Sequence, residues 1–163
     1  KAGEKFEKGQ IFLPQLILTA GVAQACFETL KSSLSSSGEK PVSKGEIVLA
    51  TVKGDIHDIG KNIVKVLLES YGYKVIDLGK DVDKRDIVDA AKKHKVKLVG
   101  LSALMTTTLG AMEETIALLN LEYPECKTVV GGAVLTADFA QKINADFYAK
   151  DAKETVDIAS TIY

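Results

Sequence analysis

Asp55-Ile56-His57-Asp58-Ile59-Gly60 follows the apolar run Ile47-Val48-Leu49-Ala50-Thr51-Val52 and precedes Ile63, Val64, Leu67, Leu68 and Tyr71. The run reads as a buried strand, and the later apolar residues fall at helical spacing. The stretch between them is then the loop leaving the carboxyl end of a strand, where open α/β sheets hold ligands. A histidine there has an acid two residues before it, and such an acid orients an imidazole through its second ring nitrogen.

The same alternation continues downstream. Strands are expected at 46–52, 73–78, 97–102, 127–131 and 146–149, and helices at 60–71, 84–94, 109–121, 136–144 and 152–162. Asp83 and Asp86 near the start of the second helix, and Lys92, Lys93, His94 and Lys95 near its end, match the helix dipole. Leu109, Met112, Ile116 and Leu119 make an apolar stripe on the third. The order implies an α/β fold of the Rossmann-like (flavodoxin-like) kind: a five-stranded parallel sheet with helices on both faces. In the strand order 2-1-3-4-5 the switch point lies between strands 1 and 3. That order brings the His57 loop together with the loop after strand 3, which carries Ser102, Thr106, Thr107 and Thr108.

The front of the chain is different. No residue from Gly9 to Phe27 is charged, but Gln10, Gln15, Thr19 and Gln24 interrupt the segment and Pro14 breaks its first part. A buried soluble helix is expected, not a membrane span. Pro14 suits a first helical turn, after which the helix runs through Leu16, Ala20, Ala23, Phe27 and Leu30. Ser35 to Gly45 is rich in serine, glycine and proline and reads as a linker. The chain begins at Lys1, inside what looks like the tail of a helical region, and reads as a fragment of something longer.

The 163 residues are enough for one α/β core and little more. A net charge of −1 gives no electrostatic case for nucleic acid or an anionic membrane. Cys26 and Cys126 lie a hundred residues apart with no CxxC, which argues against a disulfide framework and fits a reducing, cytoplasmic setting.

Three readings of His57 compete. A histidine in a loop beside two acids is ordinarily a surface residue. A zinc site would draw on Asp55, His57 and Asp58, but neighbouring residues of one loop rarely supply a tetrahedral set, and His94 sits at an exposed basic helix end. A lone histidine favours a cofactor that already carries most of its metal's ligands, such as a macrocycle with one axial position left for protein. Gly54 and Gly60 flank the loop and suit tight turns and close approach to a ligand. Thr107 or Thr108 before Leu109 reads as a helix N-cap, which does not account for all four hydroxyls of its loop. Gly131-Gly132 ends strand 4 and would let a bulky ligand pass close to the backbone. Cys126 reads as packing.

Asp-x-His-x-x-Gly at 55–60, Ser-x-Leu at 102–104 and Gly-Gly at 131–132 resemble the three-part signature of cobalamin-binding domains. The longer stretch Thr51-Val52-Lys53-Gly54-Asp55-Ile56-His57-Asp58-Ile59-Gly60-Lys61-Asn62 looks like the methyl-transferring branch. That branch contains cobalamin-dependent methionine synthase and the small corrinoid proteins of methanol and methylamine metabolism. The resemblance implies cobalamin bound base-off and histidine-on, with His57 as the lower axial ligand of cobalt. Asp55 would accept the other ring N–H, and the Thr108 hydroxyl would complete a relay. The loop residues Gly54, Ile56, Asp58 and Gly60 would surround the corrinoid. Ser102, Leu104, Thr106, Gly131 and Gly132 would line its nucleotide tail, and Ala152 would close the slot. Phe6-Glu7-Lys8-Gly9-Gln10-Ile11-Phe12-Leu13 resembles the end of a helical cap, in which Phe6 and Leu13 shield the methyl face. Residues 1–38 would thus be the last part of a helical-bundle cap plus linker, and 39–163 the cobalamin-binding α/β domain.

The implied function is methyl carriage, with methylcobalamin as the loaded form. Methionine synthase is the first choice, its donor methyltetrahydrofolate and its acceptor homocysteine. A methanol- or methylamine-type corrinoid protein is the alternative. The implied partners are homocysteine- and folate-binding domains of the same polypeptide, or separate methyltransferase subunits. A corrinoid-free flavodoxin-like signalling or nucleotide-binding module is the rival from another class, since fold does not fix function.

Overall fold

A computed structural model describes residues 2–12, 14–16, 18–19, 21–22, 25–26 and 43–163. Two compact units divide the chain, Lys1–Val42 and Ser43–Tyr163.

The first unit contains helix α1 (Ala2–Glu7), a turn, and helical residues at 14–16, 18–19, 21–22 and 25–26. Pro14 stands first among the latter as expected, and the Gln15 side chain caps the approach by accepting from the Phe12 N–H at 2.7 Å. The expectation of a buried helix is corrected here, because Leu18 is 70% and Val22 59% exposed. Leu13, Ala20, Ala23, Phe27 and Leu30, and the linker as far as residue 42, lie outside the described residues.

The second unit alternates strands and helices throughout. It comprises β1 (Glu46–Thr51), α2 (Ile59–Ser70), β2 (Lys74–Asp77), α3 (Lys84–His94), β3 (Leu98–Ser102), a 3-10 turn (Thr106–Thr108), α4 (Leu109–Glu122), β4 (Lys127–Gly131), α5 (Ala137–Lys142), β5 (Phe147–Tyr148) and α6 (Ala152–Ile162). The strands form one parallel sheet in the order β2-β1-β3-β4-β5. Thr51 pairs with Ser102, and Ser102 with Gly131, so β1, β3 and β4 end level with one another.

Side chains alternate between two apolar layers, as the period of a strand requires. Val48, Ala50 and Val52 of the first strand and its extension pack with Ile87, Met112 and Ile116 on one face. Ile47 and Leu49 pack with Leu68, Val156 and Ala159 on the other. Helices α3, α4 and α5 therefore cover one face, and α2 and α6 the opposite one. The caps follow from local chemistry. Asp83 accepts from the Arg85 N–H at the start of α3, and Asp151 accepts from the Glu154 N–H while Glu154 accepts from the Lys150 N–H at the start of α6. No helix among the described residues is long and apolar enough to cross a membrane.

His94 is not fully exposed as expected. It is half-buried, with Nδ1 3.5 Å from Glu46 Oε2, at the amino end of the sheet and away from His57. Cys26 and Cys126 are both free thiols. Burial pushes the Cys126 thiol up to about 12, so it packs as an inert apolar group.

Candidate functional site

The strand order reverses at β1, and the loops after β1 and β3 leave the sheet side by side there. A cavity of about 820 Å3 opens at this point. Leu49, Gly100 and Val129 line it from three adjacent strands, joined by His57, Gly131 and Ala152. A cleft at a switch point is the expected ligand site of an open α/β sheet.

Asp55 is the hub of the loop. It is fully buried, and both its oxygens are engaged. Oδ1 accepts from the His57 backbone N–H at 3.0 Å and lies 2.8 Å from His57 Nδ1. Oδ2 accepts from the backbone N–H groups of Leu104 at 2.6 Å and Met105 at 3.2 Å. The Thr108 hydroxyl stands 3.1 Å from the same oxygen. Burial works against a charge here. The N–H groups of His57 and Leu104, the His57 ring and the Met105 N–H outweigh it and hold the Asp55 carboxyl well below the usual carboxylate range. Asp55 thus stays ionised, and its Oδ1 fixes the imidazole through Nδ1 and leaves Nε2 available. The His57 side chain is 45% exposed.

Thr108 corrects the reading of its loop as a helix cap. It occupies the N-cap position of α4 but makes no side-chain cap bond. Its hydroxyl lies between Asp55 Oδ2 and Met105 O, the latter at 2.8 Å, and its single proton serves one of them at a time. The 3-10 turn that brings Thr108 inside turns Thr106 outward, where it is exposed and does not line the cavity. Ile56, His57, Asp58, Gly60, Ser102, Leu104, Gly131, Gly132 and Ala152 do line it. Ser102 also pairs its hydroxyl with that of Thr51 at 2.8 Å. Gly54 sits in the turn before Asp55 with φ +84°, whereas Gly60 lies in the first turn of α2. Phe6 is on α1 of the first unit, 39% exposed, and Leu13 is outside the described residues.

The glycine pair is explained by the chain itself. A Cβ at Gly132, where φ is +141°, would lie 1.9 Å from Ala103 O, and one at Gly131 would lie 3.1 Å from Ala149 O. Close approach of neighbouring backbone, and not of a ligand alone, requires glycine at 132 and disfavours a side chain at 131.

Several contacts carry no local sequence signal. Lys61 of α2 is buried, with Nζ 2.5 Å from Asp77 Oδ1 and 3.1 Å from Asn62 Oδ1. Asp77 also accepts from the Gly79 N–H and faces Lys65 at 3.4 Å. Asp81 holds the Gly54 N–H at 2.8 Å. Only their position at and just after the end of β2, the strand beside β1, marks these acids in the sequence.

The donor set suits a metal that arrives with its own ligands. Among the described residues no group of three His, Cys, Asp or Glu side chains could hold a metal ion, and Nε2 of His57 is one nitrogen donor. Around it Ile56, Ile59, Ile63 and Leu104 are 62%, 69%, 50% and 41% exposed. An apolar rim of that kind fits a bulky ligand with an apolar face. The residues present therefore fit a metal macrocycle with one open axial position.

Comparison with known proteins agrees with this geometry. Residues 45–157 match the family model described as B12 binding domain. Dimethylamine corrinoid protein 3 of Methanosarcina acetivorans is 42% identical over 158 residues, covering 96% of this chain and 73% of that protein. A cobalamin-binding protein from Desulfitobacterium hafniense has a similar structure, with TM-score 0.79, 36% identity, and 99% of this chain and 76% of that chain covered. The methanol:cobalamin methyltransferase complex MtaBC from Methanosarcina barkeri gives TM-score 0.81 at 34% identity, covering 98% of this chain and 60% of that one.

Proposed function

Because this chain belongs to the B12-binding domain family, we propose that it is the corrinoid-carrying protein of a methylamine- or methanol-type methyltransferase system. Cobalamin is its cofactor. The choice of branch rests on the relatives above, which are a methylamine corrinoid protein and a methanol:cobalamin methyltransferase complex. None of these is a methionine synthase, so that first choice gives way to the alternative.

The observation that carries the reading is a single imidazole, fixed through Nδ1 at 2.8 Å from Asp55, at the mouth of a switch-point cavity. Nε2 of His57 would hold the cobalt of the bound corrinoid. Asp55 sets the tautomer and direction of the His57 ring and would not touch the metal. The Thr108 hydroxyl and the Leu104 and Met105 N–H groups hold Asp55 in turn. The cavity between the sheet and α2 and α6 takes the nucleotide tail of the corrinoid. When bound, the cobalt supplies a centre that accepts and hands on a methyl group. Separate methyltransferase subunits are the partners, and the chain does not turn over alone.

The test is titration of the protein with hydroxocobalamin, followed by absorbance. The unmodified chain binds one equivalent in the histidine-ligated form, and His57→Gly still binds but shows a changed spectrum. An unchanged spectrum in that variant would overturn the axial assignment.

A further inference from the structure

The loop that carries His57 is held from behind by one residue of the β2–α3 connection. Asp81 accepts from the Gly54 N–H through Oδ1 at 2.8 Å, and its own N–H donates to the Asp55 carbonyl at 2.9 Å. Beside it Val82 bridges Val52, and the Val82 N–H reaches Thr51 O at 3.1 Å. Asp81 adopts φ +56°, a left-handed conformation uncommon outside glycine and tolerated by Asp and Asn. Gly54 beside it has φ +84°. The Asp81 side chain thus joins two positive-φ residues that neighbour each other in space, and its backbone N–H holds the next loop residue, Asp55.

On the proposed-function reading, on which this inference rests, the direction of His57 Nε2 depends on where this turn sets the Asp55 backbone. We propose that Asp81 is a positioning residue for His57. Its carboxylate fixes the Gly54 peptide, the fixed peptide sets Asp55, and Asp55 aims the imidazole. Sites of this kind need their groups held within about 0.5 Å and 10–20°, which a freed Gly54, able to move between both signs of φ, does not guarantee. Lys53 Nζ lies 3.3 Å from the same Oδ1 that accepts from Gly54, with both side chains about half exposed. An exposed pair of this kind contributes little, so the hydrogen bond to Gly54 is the operative contact.

Asp81→Gly and Asp81→Asn separate the possibilities. Both residues accept the backbone conformation without strain, but only Asn keeps an oxygen for the Gly54 N–H. With hydroxocobalamin bound, the ratio of histidine-ligated to unligated spectrum should fall about tenfold in Asp81→Gly, the low end for losing an outer partner of a metal ligand. Asp81→Asn should restore it, and Lys53→Met should leave it unchanged. A parent-like spectrum in Asp81→Gly, or equal loss in Asp81→Gly and Asp81→Asn, would overturn the proposal. In the unmodified protein the Gly54 amide should exchange slowly with solvent, and rapid exchange would overturn it without any variant. Failure of the unmodified chain to show the histidine-ligated spectrum would instead refute the reading of the site.

Discussion

Thr108 Oγ1 stands 3.1 Å from Asp55 Oδ2 across a sequence separation of 53 residues, and both groups are buried. The contact ties the loop after β1 to the turn after β3. It makes the orientation of His57 a property of two connections instead of one. A helix-capping threonine would have served only its own helix.

Replacing that hydroxyl is therefore expected to act at a distance. Thr108→Val should lower stability by about 1 kcal/mol, the usual worth of one buried hydrogen bond, read from the denaturant midpoint. Thr108→Ser keeps the hydroxyl and should recover most of it. Equal losses in both variants would show that packing, and not the bond to Asp55, is what Thr108 provides.

Asp55 should make stability depend on acid. Burial opposes its charge, but the hydrogen bonds from His57, Leu104 and Met105 place its folded pKa below the unfolded value of about 3.9. Its contribution is then complete above the unfolded value and is lost as pH falls towards the folded one. Urea midpoints measured between neutral pH and about pH 2 should drop more steeply for the parent than for Asp55→Asn. Parallel curves would mean that the carboxylate is not the ionised hub described.

The Lys61–Asp77 pair fastens the far end of the same loop to β2. The Lys61 side chain is 2% exposed and Asp77 16%. Lys61→Met should destabilise towards the low end of the about 3–5 kcal/mol that follows breaking a buried pair, because Lys65 remains 3.4 Å from Asp77. In Lys61→Met/Asp77→Asn the combined loss should be smaller than the sum of the single losses, because the two groups attract each other. A double-mutant cycle by chemical denaturation checks this, and strict additivity would contradict it.

The cavity is better blocked at Gly100 than at Gly132. A side chain at Gly132 would collide with Ala103 O, so Gly132→Ala should lose more than about 1 kcal/mol of stability and report on folding. At Gly100 the obstacle is the end of a flexible side chain, Leu49 Cδ2 at 2.5 Å. Gly100→Val should fold at a cost of about 1–3 kcal/mol and displace Leu49 within the lining of the cavity. Cobalamin affinity should then fall at least about tenfold, equivalent to 1.4 kcal/mol, as measured by absorbance titration alongside circular dichroism. Normal affinity in the folded variant would place the nucleotide tail elsewhere.

The sequence by itself determined the alternation of strands and helices, the two faces of β1 and the loop that carries His57. These rest on local physics: a parallel strand covered on both faces reads as a continuous apolar run, and a helix sets its apolar residues at a spacing of 3.6. Crossover handedness leaves few arrangements, of which 2-1-3-4-5 is one common solution and the one the structure adopts. Tertiary structure alone decided the rest. Whether Thr108 caps a helix or meets Asp55, whether Gly132 faces a ligand or Ala103 O, and that Asp81 holds Gly54 all depend on which strand ends lie side by side. Their partners are separated by 53 residues for Asp55 and Thr108 and by 27 for Gly54 and Asp81. A hydrogen bond is satisfied by whatever group the fold brings within about 3 Å, and no local pattern encodes that neighbour.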